Sequence, residues 1–181
     1  PLASNETTAQ EMGAVHKVAA QIGQAVDAQD LVILALPYET VREAFQIMGE
    51  RLREGAVILD LSPLTQRSLA WAEQYLRPEH HLVGGRAILN AQFLWDNCED
   101  ADHASAELFD GGLLLMAPSP GCSPEAIQLT SSFAGILGSS TRFLDPAELD
   151  GLSALTETLP ALMGAALFHQ YAHNPAWADL Q

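Results

Sequence analysis

Apolar positions along the chain follow two periods. Three short runs stand out, Leu31-Val32-Ile33-Leu34-Ala35-Leu36, Ala56-Val57-Ile58-Leu59 and Leu113-Leu114-Leu115-Met116, each bounded by charge, glycine or proline. A strand that is apolar at every position has no polar face to turn to water, so these runs predict strands buried on both faces, as in parallel sheets covered by helices. Between the first two, Val41, Ala44, Phe45, Met48 and Leu52 recur at i, i+3, i+4 and i+7 spacing, which predicts a helix over 39–53 with one apolar face. Strand, helix, strand is a βαβ unit.

The alternation continues with a helix over 66–76, a short strand over 81–83, the strand over 113–116, a helix over 123–137 and a strand over 141–144. A polar stretch over 90–110 interrupts it. Ser123-Pro124-Glu125 supplies an N-cap and a first-position proline, and Gly138 stops that helix. The fold class expected is α/β: a Rossmann-type doubly wound parallel sheet with helices on both faces. From residue 145 the character changes. Asp145-Pro146-Ala147-Glu148 reads as a helix start, and Leu152, Leu155, Leu159, Leu162, Met163, Ala166 and Leu167 follow at helical spacing with almost no charge. This predicts a helix buried nearly all round, the start of an α-helical domain. A boundary near 144 divides a partial Rossmann domain (1–144) from the first part of a helical domain (145–181).

Composition narrows the function classes. The 181 residues carry 8 Lys and Arg against 23 Asp and Glu, a net charge of −15, so nucleic acid and anionic lipid are excluded as expected partners. Cys98 and Cys122 are the two cysteines, too few for a disulfide framework, and point to a reducing, cytoplasmic setting. No uninterrupted apolar run reaches the roughly 18 residues of a membrane span, residues 1–10 show no secretory signal, and no membrane association is expected. His80-His81 reads as a solvated turn, and His103 with Asp96, Glu99, Asp100 and Asp102 as a solvated acidic loop without cation-loop spacing. His169 and His173 share a helix face but lack a third ligand, so no metal is expected.

In open α/β sheets ligands bind beyond the carboxyl ends of the strands. That places Leu36, Pro37 and Tyr38 after the first strand, and Asp60, Leu61, Ser62 and Pro63 after the second, around one crevice. Ser62 also reads as a cap for the helix beginning near Thr65, a role compatible with lining a site.

The order of the segments DLVILALPYETV, GAVILDLSPLT, HLVGGRAI, AELFDGGLLLMAPSP and ILGSSTRFLDPAELDGLSALTETLP resembles the prephenate and arogenate dehydrogenases, with Glu148, Asp150, Ala154, Leu159 and Pro160 at matching positions. The resemblance implies an NAD- or NADP-dependent dehydrogenase of tyrosine biosynthesis. It also implies oxidative decarboxylation of a small carboxylate substrate, and a homodimer formed through the helical domain. Leu36, Pro37, Tyr38, Ser62 and Pro63 are then the cofactor-binding residues. The family's histidine in a Gly-Gly-His-Pro-like turn is replaced by Arg86 in Gly84-Gly85-Arg86-Ala87, and a second histidine before the Leu-Pro pair is absent from Thr156-Glu157-Thr158-Leu159-Pro160.

Arginine stays protonated and cannot be a base, but it clamps carboxylates. Arg86 is therefore expected to hold the substrate, with Glu157 as the base if burial raises its pKa. Asn90, Thr156 and Thr158 complete the expected substrate pocket, since Pro160 disrupts the helix one turn beyond Thr156. The GxGxxG fingerprint does not occur, which is read as a chain that starts beyond that loop. Two further readings stay open: a reductase of deazaflavin coenzymes that uses NADP, suggested by LALPYETV and LDLSPL, and a catalytically silent dinucleotide-binding or dimerisation module, suggested by the two missing histidines.

Overall fold

The computed structural model describes residues 8–93 and 105–173. Cys98, His103 and the acidic loop around them lie outside the described residues, as does the tail beyond 173. A single helical turn, α1 (Ile22–Ala25), precedes β1 (Leu31–Leu34), α2 (Tyr38–Arg51), β2 (Val57–Asp60), α3 (Thr65–Tyr75) and β3 (His81–Ile88). There follow β4 (Leu113–Pro118), α4 (Pro124–Ile136) and β5 (Ser140–Phe143). The described residues close with a long helix whose α-helical parts, α5 (Pro146–Ser153) and α6 (Leu159–Ala172), are joined by a π-helical turn, Ala154–Thr158.

The five strands lie side by side in chain order. β1, β2 and β3 are parallel, with Leu34 opposite Asp60 and Asp60 opposite Gly84. The expected all-parallel sheet needs one correction: β4 runs antiparallel to β3, from Val83 opposite Pro118 to Ile88 opposite Leu113. A parallel step requires a crossover over the sheet, usually by a helix, whereas the polar connection after β3 only has to turn the chain back. β5 then pairs parallel with β4. This reversal also explains why helices cover both faces. Right-handed crossovers moving across the sheet in one direction place α2 and α3 on one face, and the same handedness on a reversed strand places α4 on the other.

Side-chain alternation divides the core accordingly. Leu34, Ile58 and Leu82 pack under Val41, Phe45, Met48 and Ala72 on the first face. Val57, Leu59, Val83, Leu114 and Met116 pack under Ala126 and Ala134 on the second. α5 returns to the first face, where Leu149 meets Leu115 and Ala117. Each large apolar side chain buried in this way contributes about 1.5–3 kcal/mol.

β3 is longer than its apolar pattern predicts. Gly84, Gly85 and Arg86 lie inside the strand, not in a turn beyond it. Close packing accounts for the glycines: a Cβ on Gly84 would stand 2.2 Å from the Thr65 methyl, and one on Gly85 2.6 Å from a Leu59 methyl. His80 is also corrected. It is buried, and its Nδ1 accepts the Arg77 amide at 3.3 Å.

The largest correction concerns the terminal helix, expected to be buried. Leu159, Leu162, Met163, Leu167, Phe168 and Tyr171 of α6 are all exposed, Phe168 by 68%. The continuous helix Pro146–Ala172 contains an 18-residue stretch with a mean hydropathy of 1.3 and is long and apolar enough by composition to cross a membrane. Thr156, Glu157 and Thr158 interrupt its apolar pattern, so the sequence shows no unbroken run there.

Candidate functional site at the carboxyl edge of the sheet

β1 and β2 end in register, so the segments after them emerge at the same edge. Pro37 and Pro63 are exposed there and Leu36 is half-buried. Tyr38 turns back onto Trp71, with ring centroids 5.4 Å apart. Ser62 is buried, and its hydroxyl is committed: it donates to Asp60 Oδ2 at 2.7 Å and lies 2.9 Å from Ser68 Oγ. The Ser62 amide donates to Asp60 Oδ1 at 3.0 Å. Ser62 therefore fixes the loop carrying Pro63 and presents no free hydroxyl to a ligand.

Nor does Ser62 cap α3. The residue at the cap position is Leu64, which has no side-chain acceptor. The acceptor comes from 85 residues away, where Asp150 of α5 receives the Thr65 amide at 2.6 Å, the Gln66 amide at 3.1 Å and Gln66 Nε2 at 3.3 Å. A carboxylate in that place satisfies unpaired helix donors and the positive end of the helix dipole together.

Arg86 stands on β3 two residues past its last pairing with β2, facing α5. Its Nη1 donates to Glu157 Oε1 at 2.6 Å and its Nη2 to Ser153 Oγ at 2.8 Å. Asp150, Ser153 and Glu157 follow i, i+3, i+7 spacing, one polar stripe of the terminal helix laid against the sheet. Beside it opens a cavity of about 450 Å³ lined by Arg86, Ala87, Ile88, Leu89, Leu115, Leu149, Leu152, Ser153, Thr156 and Glu157. The walls are apolar apart from the Arg86 group and Thr156. The Thr156 hydroxyl donates to the Leu152 carbonyl at 2.8 Å, so the helix itself satisfies it.

The structure thus brings Arg86, Thr156 and Glu157 to one cavity and leaves Asn90 and Thr158 out of its lining. Asn90 Oδ1 accepts the Gln92 amide at 3.1 Å in a local turn. Glu157 does not meet the burial condition set for a base, since its side chain is 55% exposed. Sequence reasoning missed Ser153 and the capping role of Asp150, although the i, i+3, i+7 stripe was visible in the sequence.

The described residues fit part of a dinucleotide. Leu36, Pro37 and Pro63 follow strands that end in register, at the carboxyl edge where an open α/β sheet takes its ligand. No seat for a pyrophosphate is free among them: the N-terminus of α3 already holds the Asp150 carboxylate, and the first turn of α2 carries Glu39. His169 and His173 stack at 4.1 Å, with His173 Nδ1 2.9 Å from the His169 carbonyl. Among the described residues no three His, Cys, Asp or Glu converge on a point where a metal ion would sit.

Comparison with known proteins agrees with this architecture. The profile of the family described as "Prephenate dehydrogenase, nucleotide-binding domain" matches residues 3–139. The chain is 21% identical over 167 residues to the prephenate dehydrogenase of Bacillus subtilis, covering 91% of this chain and 43% of that protein. It superposes on the prephenate dehydrogenase of Aquifex aeolicus with a TM-score of 0.78 and 20% identity, covering 93% of this chain and 59% of that one. A second structure of the Aquifex enzyme, in complex with hydroxyphenyl propionate and NAD+, gives 0.78 at 19% identity, with 93% and 58% covered. The arogenate dehydrogenase of Synechocystis gives 0.72 at 18% identity, with 93% and 59% covered. At these identities the solved structures speak for the fold, and the chain spans only about half the length of its relatives. The match over residues 3–139 makes the chain a member of the prephenate dehydrogenase family, in its nucleotide-binding domain.

Proposed function

We infer that the protein is an NAD- or NADP-dependent dehydrogenase of the prephenate and arogenate type, acting on a small carboxylate held at the Arg86 cavity. The observation that carries this reading is the family match over 137 residues ending at 139, joined to an arginine at the rim of an apolar cavity on the carboxyl side of the sheet. In this assignment Leu36, Pro37 and Pro63 form one wall of the cofactor site, and Ser62 holds that wall through Asp60 and Ser68. A bound nicotinamide supplies a hydride acceptor. Arg86 orients the substrate carboxylate, and the apolar walls exclude water from its body. Residues 145 onward act as the start of a helical domain that closes the substrate side.

The exposed face of α6 supports a homodimer. An apolar patch of this kind marks an interface. The alternative of a membrane span is weaker, because Asp150 and Glu157 tie the first turns to the sheet domain. The 14 residues of α6 that remain reach only about 21 Å at 1.5 Å per residue, short of the ~30 Å hydrocarbon core. The net charge of −15 and, among the described residues, the free thiol of Cys122 fit a cytoplasmic protein.

The test is absorbance at 340 nm with NAD+ or NADP+ and either prephenate or arogenate. Turnover with release of CO2 supports the reading. Dinucleotide binding without turnover of either compound replaces it with the silent module, which the arginine in place of histidine motivates.

A further inference from the structure

Arg86 and Glu157 form a charge pair at the rim of a cavity whose other walls are apolar. Glu157 uses one oxygen, at 2.6 Å, and its side chain is more than half exposed, whereas Arg86 is 21% exposed. The remaining polar groups are spent. Ser153 Oγ donates to the Leu149 carbonyl at 3.1 Å while accepting from Arg86, and the Thr156 hydroxyl is bonded within the helix. A ligand entering the cavity therefore meets two unlike charges side by side and otherwise hydrocarbon.

Glu157 also sits in the π turn. Leu159 N–H reaches the Ala154 carbonyl five residues back, and Pro160 has no N–H to offer the Thr156 carbonyl. The backbone carrying Glu157 is thus held by fewer α-helical bonds than the rest of the helix, and its carboxylate, more than half exposed, is bonded only through Oε1 to Arg86.

A simple carboxylate that took the Arg86 fork would leave Glu157 facing a second negative charge. A ligand bearing a carboxylate and an ammonium on neighbouring atoms inserts between the two: Arg86 takes the carboxylate through two parallel N–H bonds, Glu157 takes the ammonium, and no charge is stranded. We propose that the Arg86–Glu157 pair reads the zwitterionic end of a ring-bearing amino acid. This rests on the assignment of the cavity as the substrate site and selects the amino-acid form of the substrate over its deaminated counterpart.

The test is equilibrium binding by calorimetry, without dinucleotide, of three probes with one ring: L-tyrosine, 3-(4-hydroxyphenyl)propionate and tyramine. The first carries both charges, the second only the carboxylate and the third only the ammonium. Tyrosine is expected to bind at least about tenfold tighter than either, the scale of one charge-assisted hydrogen bond. Glu157→Gln should erase the advantage over the propionate, and Arg86→Lys should weaken tyrosine and the propionate alike. Equal binding of tyrosine and the propionate, or an advantage that survives Glu157→Gln, overturns the proposal. Because binding is read without turnover, the outcomes separate. Dehydrogenase activity with no zwitterion preference sinks this inference alone, and a preference without activity sinks only the assigned reaction.

Discussion

Replacing Asp150 by alanine removes the acceptor for three N–H groups at the start of α3 while leaving the apolar core untouched. Thr65 is 2% exposed, so water cannot freely take over its amide, and a buried donor without a partner costs about 1–3 kcal/mol. The Gln66 amide and side chain are exposed and re-solvate, adding a few tenths. Loss of a carboxylate from the helix N-terminus adds about 0.3–1 kcal/mol. The expected loss is about 2–3 kcal/mol. Asp150→Asn keeps one acceptor oxygen and drops the charge, and should lose about 1 kcal/mol. Urea unfolding followed by helical circular dichroism reads this as a lower midpoint at unchanged slope, and thermal unfolding as a fall of about 4–10 °C for the alanine variant. A loss under about 0.5 kcal/mol, or asparagine as damaging as alanine, would refute the remote cap.

Further expectations follow from other contacts. Gly84→Ala should destabilise by about 1–3 kcal/mol through the Thr65 methyl, and Thr65→Ser, which removes that methyl, should restore most of it, because the next atoms stand at 3.3 and 3.4 Å; additive losses in the double variant would dismiss the clash. Burial first, then the Arg77 charge, holds His80 below its ordinary 6.5, so the unfolded chain takes up a proton that the folded chain resists. Stability from this residue is full above pH 6.5 and falls as pH drops through the folded pKa, and His80→Gln should flatten that decline in unfolding midpoints; an unchanged decline rejects it. Leu162→Glu with Phe168→Glu should convert a dimer to a monomer by light scattering, and a wild-type protein that is already monomeric contradicts an α6 interface.

Particular residues show what was legible. The runs at Ile58 and Leu82 and the period of Val41, Phe45 and Met48 specify buried strands and one-sided helices, because in each case burial repeats with the local geometry. Strand direction is not local, so the reversal at β4 could not be seen in Leu113 to Met116, which read the same either way. The full length of β3 is hidden in the sequence because Gly84, Gly85 and Arg86 lack the apolar signature, though the two glycines are small to admit Thr65 and Leu59. The uncharged α6 was expected to be buried; hydropathy states what a helix tends to cover, not that its partner lies in the same chain.

Arg86 and Glu157 stand out by their positions in the resemblance, and the structure pairs their side chains at 2.6 Å. A serine after a strand looks available to a ligand in the sequence, and only the fold reveals that Ser62 is bonded to Asp60 and Ser68. The Asp150 cap joins residues 85 positions apart and has no local signal.

The measurement closest to the central claim is kcat/KM of Arg86→Ala against the wild type, with arogenate and prephenate as substrates. Truncating one side of a desolvated charge pair costs about 2–5 kcal/mol. The variant should therefore lose at least about 30-fold in kcat/KM, at 1.36 kcal/mol per tenfold. Unchanged kcat/KM for Arg86→Ala would show that the cavity at Arg86 is not where the substrate carboxylate binds.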